Sequence, residues 1–326
     1  MTSRSRQAFS LVELLVVIAI IALLIGILVP SLSKAKQTAK RSQDANNVRS
    51  TLQAMTVFAG DTDGAFPLPS LVDLSDSTVS TDTSSLEKDN TGNILSLMIA
   101  NDHIKPSAVV SPVETNDDVQ VYEGYQKLNP TQALSPEFAS WDPGFAGVTD
   151  ESGTGGGSRR ASNFSNNSYS FLPPFGARKL FWRNDSDSSV ALMGNRGSVY
   201  SLNASDDTWQ IDSAGFSDGL ASNTLKFYGS NNTWSGNIGF GDLSVDFSNS
   251  PDPSKTGTVE TTNSKVVSDN VFVNEGDTGS STNRTKVDYG SNSYLRPWFD
   301  INVNNEEVSA TPWDILSRNP NNSSGD

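Results

Sequence analysis

The residue best placed to do chemistry is Glu13, the one charge in an apolar run of 21 residues, Phe9 to Val29 (FSLVELLVVIAIIALLIGILV). A carboxylate at bilayer depth costs on the order of 3 kcal/mol and implies a nearby cation. A cut between Ala8 and Phe9 would supply one, because the new α-amine would lie four residues before Glu13, one helical turn away. Elsewhere the catalytic inventory is thin. His103 is the only histidine and there is no cysteine, so thiolate metal sites and disulfides are excluded. The sequence contains no His-Glu-x-x-His helix. Asp185 with Asp187 and Asp206 with Asp207 have the pairing that glycoside hydrolysis uses, but in stretches this polar they read as solvated turn acids. Asp61-Thr62-Asp63-Gly64 begins like a calcium loop, yet its twelfth position is Val72, which offers no ligand. The chain therefore reads as a non-enzyme without cofactor or metal.

The element that must carry Glu13 is a helix. At about 1.5 Å per residue the run spans about 30 Å, the hydrocarbon thickness of a bilayer. Leu, Ile, Val and Ala occupy every face, so no stripe exists for a soluble core. A basic leader, Met1 to Ala8 (MTSRSRQA), precedes it and Pro30 follows. A conventional secretory signal fits poorly, since its apolar region is about 7 to 15 residues long. This run is longer, contains Glu13, and continues in helical pattern beyond Ser33. An ordinary single-pass anchor would leave Glu13 unexplained.

Ala8-Phe9-Ser10-Leu11-Val12-Glu13 followed by the apolar run resembles the signal of type IV prepilins and type II secretion pseudopilins. The resemblance implies that a prepilin peptidase cuts between Ala8 and Phe9 and methylates the Phe9 nitrogen. It also implies that Glu13 and Pro30 serve assembly, both at the family's spacing from the cut. Ala8 stands where the family usually has glycine, with small size kept.

Net charge is −14, and the basic residues do not cluster beyond residue 41, which argues against nucleic-acid binding. Charge counting does not orient the span, because Arg4, Arg6 and the initiator amine precede it while Lys34, Lys36, Lys40 and Arg41 follow. The resemblance implies a single pass through the inner (cytoplasmic) membrane with the large domain on the periplasmic or extracytoplasmic side.

From Ser31 the chain stays helical in pattern but turns polar. Leu32, Ala35, Ala39 and Ser42, then Val48, Leu52, Met55 and Ala59, recur at three- and four-residue steps, predicting one core-facing stripe. Gly60 to Gly64 should end the helix, and Asp63-Gly64-Ala65-Phe66-Pro67 resembles the turn after the first helix of pseudopilins. Residues 75 to 93 contain almost no large apolar residue and predict a loop or disordered insertion. A short helix is expected over Ile94 to Ala100, with His103 near its end. Ser168 to Phe171 and Val190 to Met193 predict core strands, with Gly194-Asn195-Arg196-Gly197 as a turn. Gly153 to Gly157 predicts a flexible stretch before Arg159 and Arg160. Val271 to Val273, Arg296 to Ile301 and Trp313 to Leu316 are apolar enough to pack on the domain.

Residues 235 to 247 alternate as two antiparallel strands around a short turn. They also resemble the last hairpin of the large planctomycete-type pseudopilins, in which a His, nine residues and Asp-Gly precede a strand. Asn237, Phe240, Asp242, Val245 and Phe247 match. Asn232 stands where His is expected and Leu243 where Gly is expected.

The expected architecture is α+β and pilin-like: a leader over 1–8, a long N-terminal α-helix over 9–60 with its transmembrane first half at 9–29, and an antiparallel β-sheet domain with long polar loops over 61–326. The expected function is a structural pilin-like subunit that a prepilin peptidase processes. It would join other pilin-like subunits through the N-terminal helix in a type II secretion or type IV pilus-like filament. The alternative is a single-anchor surface protein that binds glycans or calcium.

Overall fold

The computed structural model describes residues 11–147, 165–203, 205–212, 219, 222–228, 232–261, 264–275, 286–304 and 307–312. The Ala8–Phe9 junction, the 153–157 glycine run with Arg159 and Arg160, and Trp313 to Leu316 lie outside them. The architecture is α+β, and the chain divides into two compact units, one ending at Gln43 and one beginning at Asp44.

The first unit is helical and belongs to α1, which runs Leu11–Gly60. Residues 11–43 are exposed on every face. Pro30 lies inside the helix, where its ring removes one backbone donor, and Ser31 Oγ donates to the Leu28 carbonyl at 2.8 Å. The stripe expected to start at Leu32 starts at Asp44 instead: Leu32 is 62% exposed, and Ala35, Ala39 and Ser42 are exposed as well. The reason is size and charge. Two alanines and one leucine among four cations offer too little apolar area to hold a face against a core.

In the second unit, Val48, Leu52, Met55 and Ala59 are all buried. The helix ends where Gly64 N donates to the Ala59 carbonyl at 2.9 Å, with Asp63 and Gly64 both at positive φ, 54° and 83°. The central sheet is antiparallel in the order β1 (Tyr169–Phe171), β2 (Ala191–Asn195), β5 (Gly236–Phe240), β6 (Val245–Ser248). Three two-stranded ribbons complete the β structure: β3 (Tyr200–Leu202) with β4 (Trp209–Ile211), β7 (Thr258–Glu260) with β8 (Val266–Ser268), and β9 (Trp298–Asn304) with β10 (Glu307–Pro312).

One loop expectation is overturned and another is met in part. Gly194 and Asn195 are not a turn but the end of β2, paired with Ser170 and Tyr169. Arg196 beyond them is buried against Glu114, so the polar run hides an ion pair rather than a solvated bend. Residues 75–93 are a loop for the most part, with a short 3-10 helix at Ser85–Lys88, and they are held chiefly by polar bonds, while Val79 is buried in a cluster with Phe58, Leu97 and Trp141 and Leu86 packs against the core. Asp73 accepts from the backbone of Ser77 at 2.7 Å and Thr78 at 3.1 Å, and from the buried Lys88 ammonium at 3.1 Å. Lys88 also pairs with Asp76 at 2.6 Å. Beyond the short α2 (Pro69–Val72) and this loop, α3 (Thr91–Ala100) is capped by Asn90, whose side chain accepts from Asn93 N at 2.9 Å. His103 sits just past its end, edge-on to Phe58 with ring centroids 6.0 Å apart.

Candidate functional site

Two places on α1 carry the candidate residues. The first is the apolar segment from Leu11 to Val29, where Glu13 is exposed among exposed Leu, Val and Ile side chains and Pro30 follows within the same helix. A segment of this composition with no covered face is stable only where lipid or other helices surround it.

The second is Asp44, fully buried on α1 and absent from the sequence-based candidates. Its carboxylate accepts from the hydroxyls of Ser111, Tyr169 (2.8 Å) and Tyr228 (2.6 Å) and from the side-chain amide of Asn237 (2.6 Å). A buried carboxylate is tolerable only when its lone pairs are filled in this way. Burial pushes the Tyr169 phenol well above its usual range and the adjacent Asp44 carboxylate adds to the effect, so the hydroxyl stays a donor. The signal for Asp44 was present in the sequence: it continues the Val48, Leu52 stripe one helical turn earlier, and an acid on a core stripe calls for partners.

The hairpin motif is built around this carboxylate. Asn237 and Gly239 are two apart on β5 and so share one face. Asn237 donates to Asp44, while a Cβ on Gly239 would lie 2.5 Å from Leu52 Cδ1 and 2.8 Å from Val48 Cγ1. The absence of a side chain at Gly239 therefore sets how closely the helix approaches the strand. Every residue of β5 is buried, so the alternation separates two covered faces rather than core from solvent. Phe240 lies under the Lys255 ammonium, 4.2 Å from the ring centroid. Phe247 meets the Tyr228 ring edge-on at 4.9 Å and so holds the hydroxyl that reaches Asp44. Val245 pairs with Gly239 in the register. Asp242 makes the turn, accepting from Ser244 N at 3.1 Å and Ser244 Oγ at 2.6 Å. Leu243, where the resembled hairpin has glycine, adopts φ 63°, the left-handed conformation glycine favours. Asn232, in the place of the histidine, is exposed. The structure thus brings Asn237 and Phe247 to one buried carboxylate and leaves Asp242 to the turn.

Among the described residues no three His, Asp or Glu side chains come together to hold a metal ion. One helix among them is long and apolar enough to cross a membrane. Such a helix near the N-terminus, taken with the motif that residues 3–29 match, is the mark of a membrane-anchored, single-span protein. Residues 3–29 match the prokaryotic N-terminal methylation motif, which places the Ala8–Phe9 junction and Glu13 inside a prepilin-type signal and implies a prepilin peptidase and pilin-like partners. No curated protein and no solved structure matches the chain.

Proposed function

We propose that the protein is a pilin-like structural subunit, cut between Ala8 and Phe9, methylated on Phe9, and assembled through α1 into a type II secretion or type IV pilus-like filament. The observation that carries this reading is the methylation motif lying on a helix whose residues 11–43 have no covered face. In the bilayer, lipid covers that segment; in a filament, neighbouring helices do. Lipid tails and apolar side chains are nearly equivalent solvents, so the transfer is close to neutral and packing together with the Glu13 charge sets the register. The large domain, on this reading, lies on the periplasmic or extracytoplasmic side of the inner membrane. The test is the mass of the N-terminal peptide from membranes of the source cell. A peptide beginning at methylated Phe9 supports the proposal, whereas one beginning at Met1, Thr2 or Lys34 overturns it.

A further inference from the structure

Beyond the apolar segment four cations fall within one stretch of eight residues: Lys34, Lys36, Lys40 and Arg41. All four are exposed, and no acidic residue occurs between Glu13 and Asp44 in a chain whose net charge is −14. We infer that these residues form a collar that binds the phosphates of anionic lipid headgroups on the side of the bilayer where the span ends. The inference goes beyond filament assembly and rests only on α1 crossing a bilayer.

Height is the first argument. At about 1.5 Å per residue, Lys34 and Lys36 lie about 8 and 11 Å beyond Val29, and Lys40 and Arg41 about 17 and 18 Å. The headgroup zone adds roughly 5 to 8 Å on each side of the hydrocarbon. Helical side chains lean toward the helix N-terminus, here toward the bilayer, and Lys and Arg stems are long enough to return their charges to the interface. Lys34 and Lys36 therefore reach the phosphates directly. Lys40 and Arg41 remain within about one Debye length of them at physiological ionic strength.

Angle is the second argument. At about 100° per residue, Lys34 and Arg41 fall on one side of the helix while Lys36 and Lys40 fall on the opposite side. A protein docking on one face would be met by a stripe. A ring of charge suits a partner that surrounds the helix, and headgroups at the mouth of a single span do so. The collar then opposes withdrawal of the helix from an anionic leaflet.

The experiment uses the full chain in nanodiscs of phosphatidylcholine with one-fifth phosphatidylglycerol, and reads by spin-labelled lipid how strongly each headgroup is retained beside the protein. Each cation near the surface favours anionic lipid by about fivefold, so the wild type should prefer phosphatidylglycerol by at least that factor. The quadruple variant Lys34→Gln, Lys36→Gln, Lys40→Gln, Arg41→Gln should bring the ratio near one, as should 1 M salt. Lys105→Gln with Lys226→Gln, both exposed elsewhere, should leave it unchanged. A chain that does not embed in the disc overturns both the span and the collar. An embedded chain with equal ratios for wild type and quadruple variant overturns the collar alone. An unchanged lipid ratio with loss of cross-links between copies would assign these cations to an acidic surface of a second subunit instead.

Discussion

Asp44→Ala is the substitution that most directly tests how α1 is held in the second unit. Truncation removes the common acceptor of four donors: Ser111, Tyr169, Tyr228 and Asn237. Bonds to a charged group contribute about 1.5 to 3 kcal/mol each. They do not simply add, because the substitution also removes the cost of keeping a charge buried, and about 3 to 5 kcal/mol is the expected net loss. Against a total of about 5 to 15 kcal/mol this is a large fraction. For a domain of this size it corresponds to a fall in Tm of roughly 10 °C. The assay is urea unfolding of the full chain in detergent, followed by near-ultraviolet circular dichroism. Asp44→Asn keeps the shape and one acceptor and should lose about half as much. Tyr228→Phe alone should cost about 1.5 to 3 kcal/mol, but in the Asp44→Ala background it should cost clearly less, since the hydroxyl has then already lost its bond to the carboxylate and keeps the Asn237 amide, from which it accepts at 3.0 Å. A loss under about 1 kcal/mol for Asp44→Ala, or strict additivity of the two substitutions, would refute the anchoring role.

Gly239→Ala places a methyl within 2.5 Å of Leu52 and 2.8 Å of Val48 and should lower stability by about 1 to 3 kcal/mol, read from the same urea midpoints. Stability should also fall as pH rises from about 4 to about 6.5, because burial raises the carboxyls of Asp89 and Asp269 to about 6. The folded chain then binds protons that the unfolded chain has lost, so the contribution is full below pH 4 and gone above the folded pKa, on the order of 2 to 3 kcal/mol per group. Asp89→Asn and Asp269→Asn should each flatten the urea-midpoint profile over that window, and an unchanged profile would remove the group concerned as its source. Glu13→Gln should leave membrane insertion and the second unit intact while shortening cross-linked ladders between copies, and Glu13→Leu should insert at least as well and assemble as badly. Equal ladders for all three would make Glu13 a passenger.

How much was legible depended on whether a residue's environment is set locally. The apolar run, the α3 helix, the strands at 169–171 and 191–193 and the 236–248 hairpin announce themselves by period, and the structure has them. At 75–93 the loop is legible but its order is not, and at 194–197 the expected turn gives way to strand, because polar side chains there are buried rather than solvated. Lys88 and Asp89 are buried with Asp73 and Ser70, 15 and 19 residues away, and Arg196 with Glu114, 82 residues away, pairings that no periodicity announces. Asp44 was missed for the same reason, although its place on the Val48 and Leu52 stripe was visible. The Leu32 end of the stripe was read from spacing alone, where the apolar area was too small for spacing to matter.

The position of Asp44 separates two demands on one helix. Up to Gln43, α1 is exposed on every side, and on the proposed function that segment exchanges lipid for neighbouring helices, with Glu13 and the cations after the apolar run as its charges. From Asp44 onward the same helix must stay fixed, and there Val48, Leu52, Met55, Phe58 and Ala59 bury apolar surface worth several kcal/mol in sum. Apolar contacts alone fix position weakly, because a helix sliding by one turn against a sheet finds another apolar surface. A buried carboxylate with four donors at fixed places favours the one register that satisfies it, and in that register Gly239 leaves room for Leu52 and Val48.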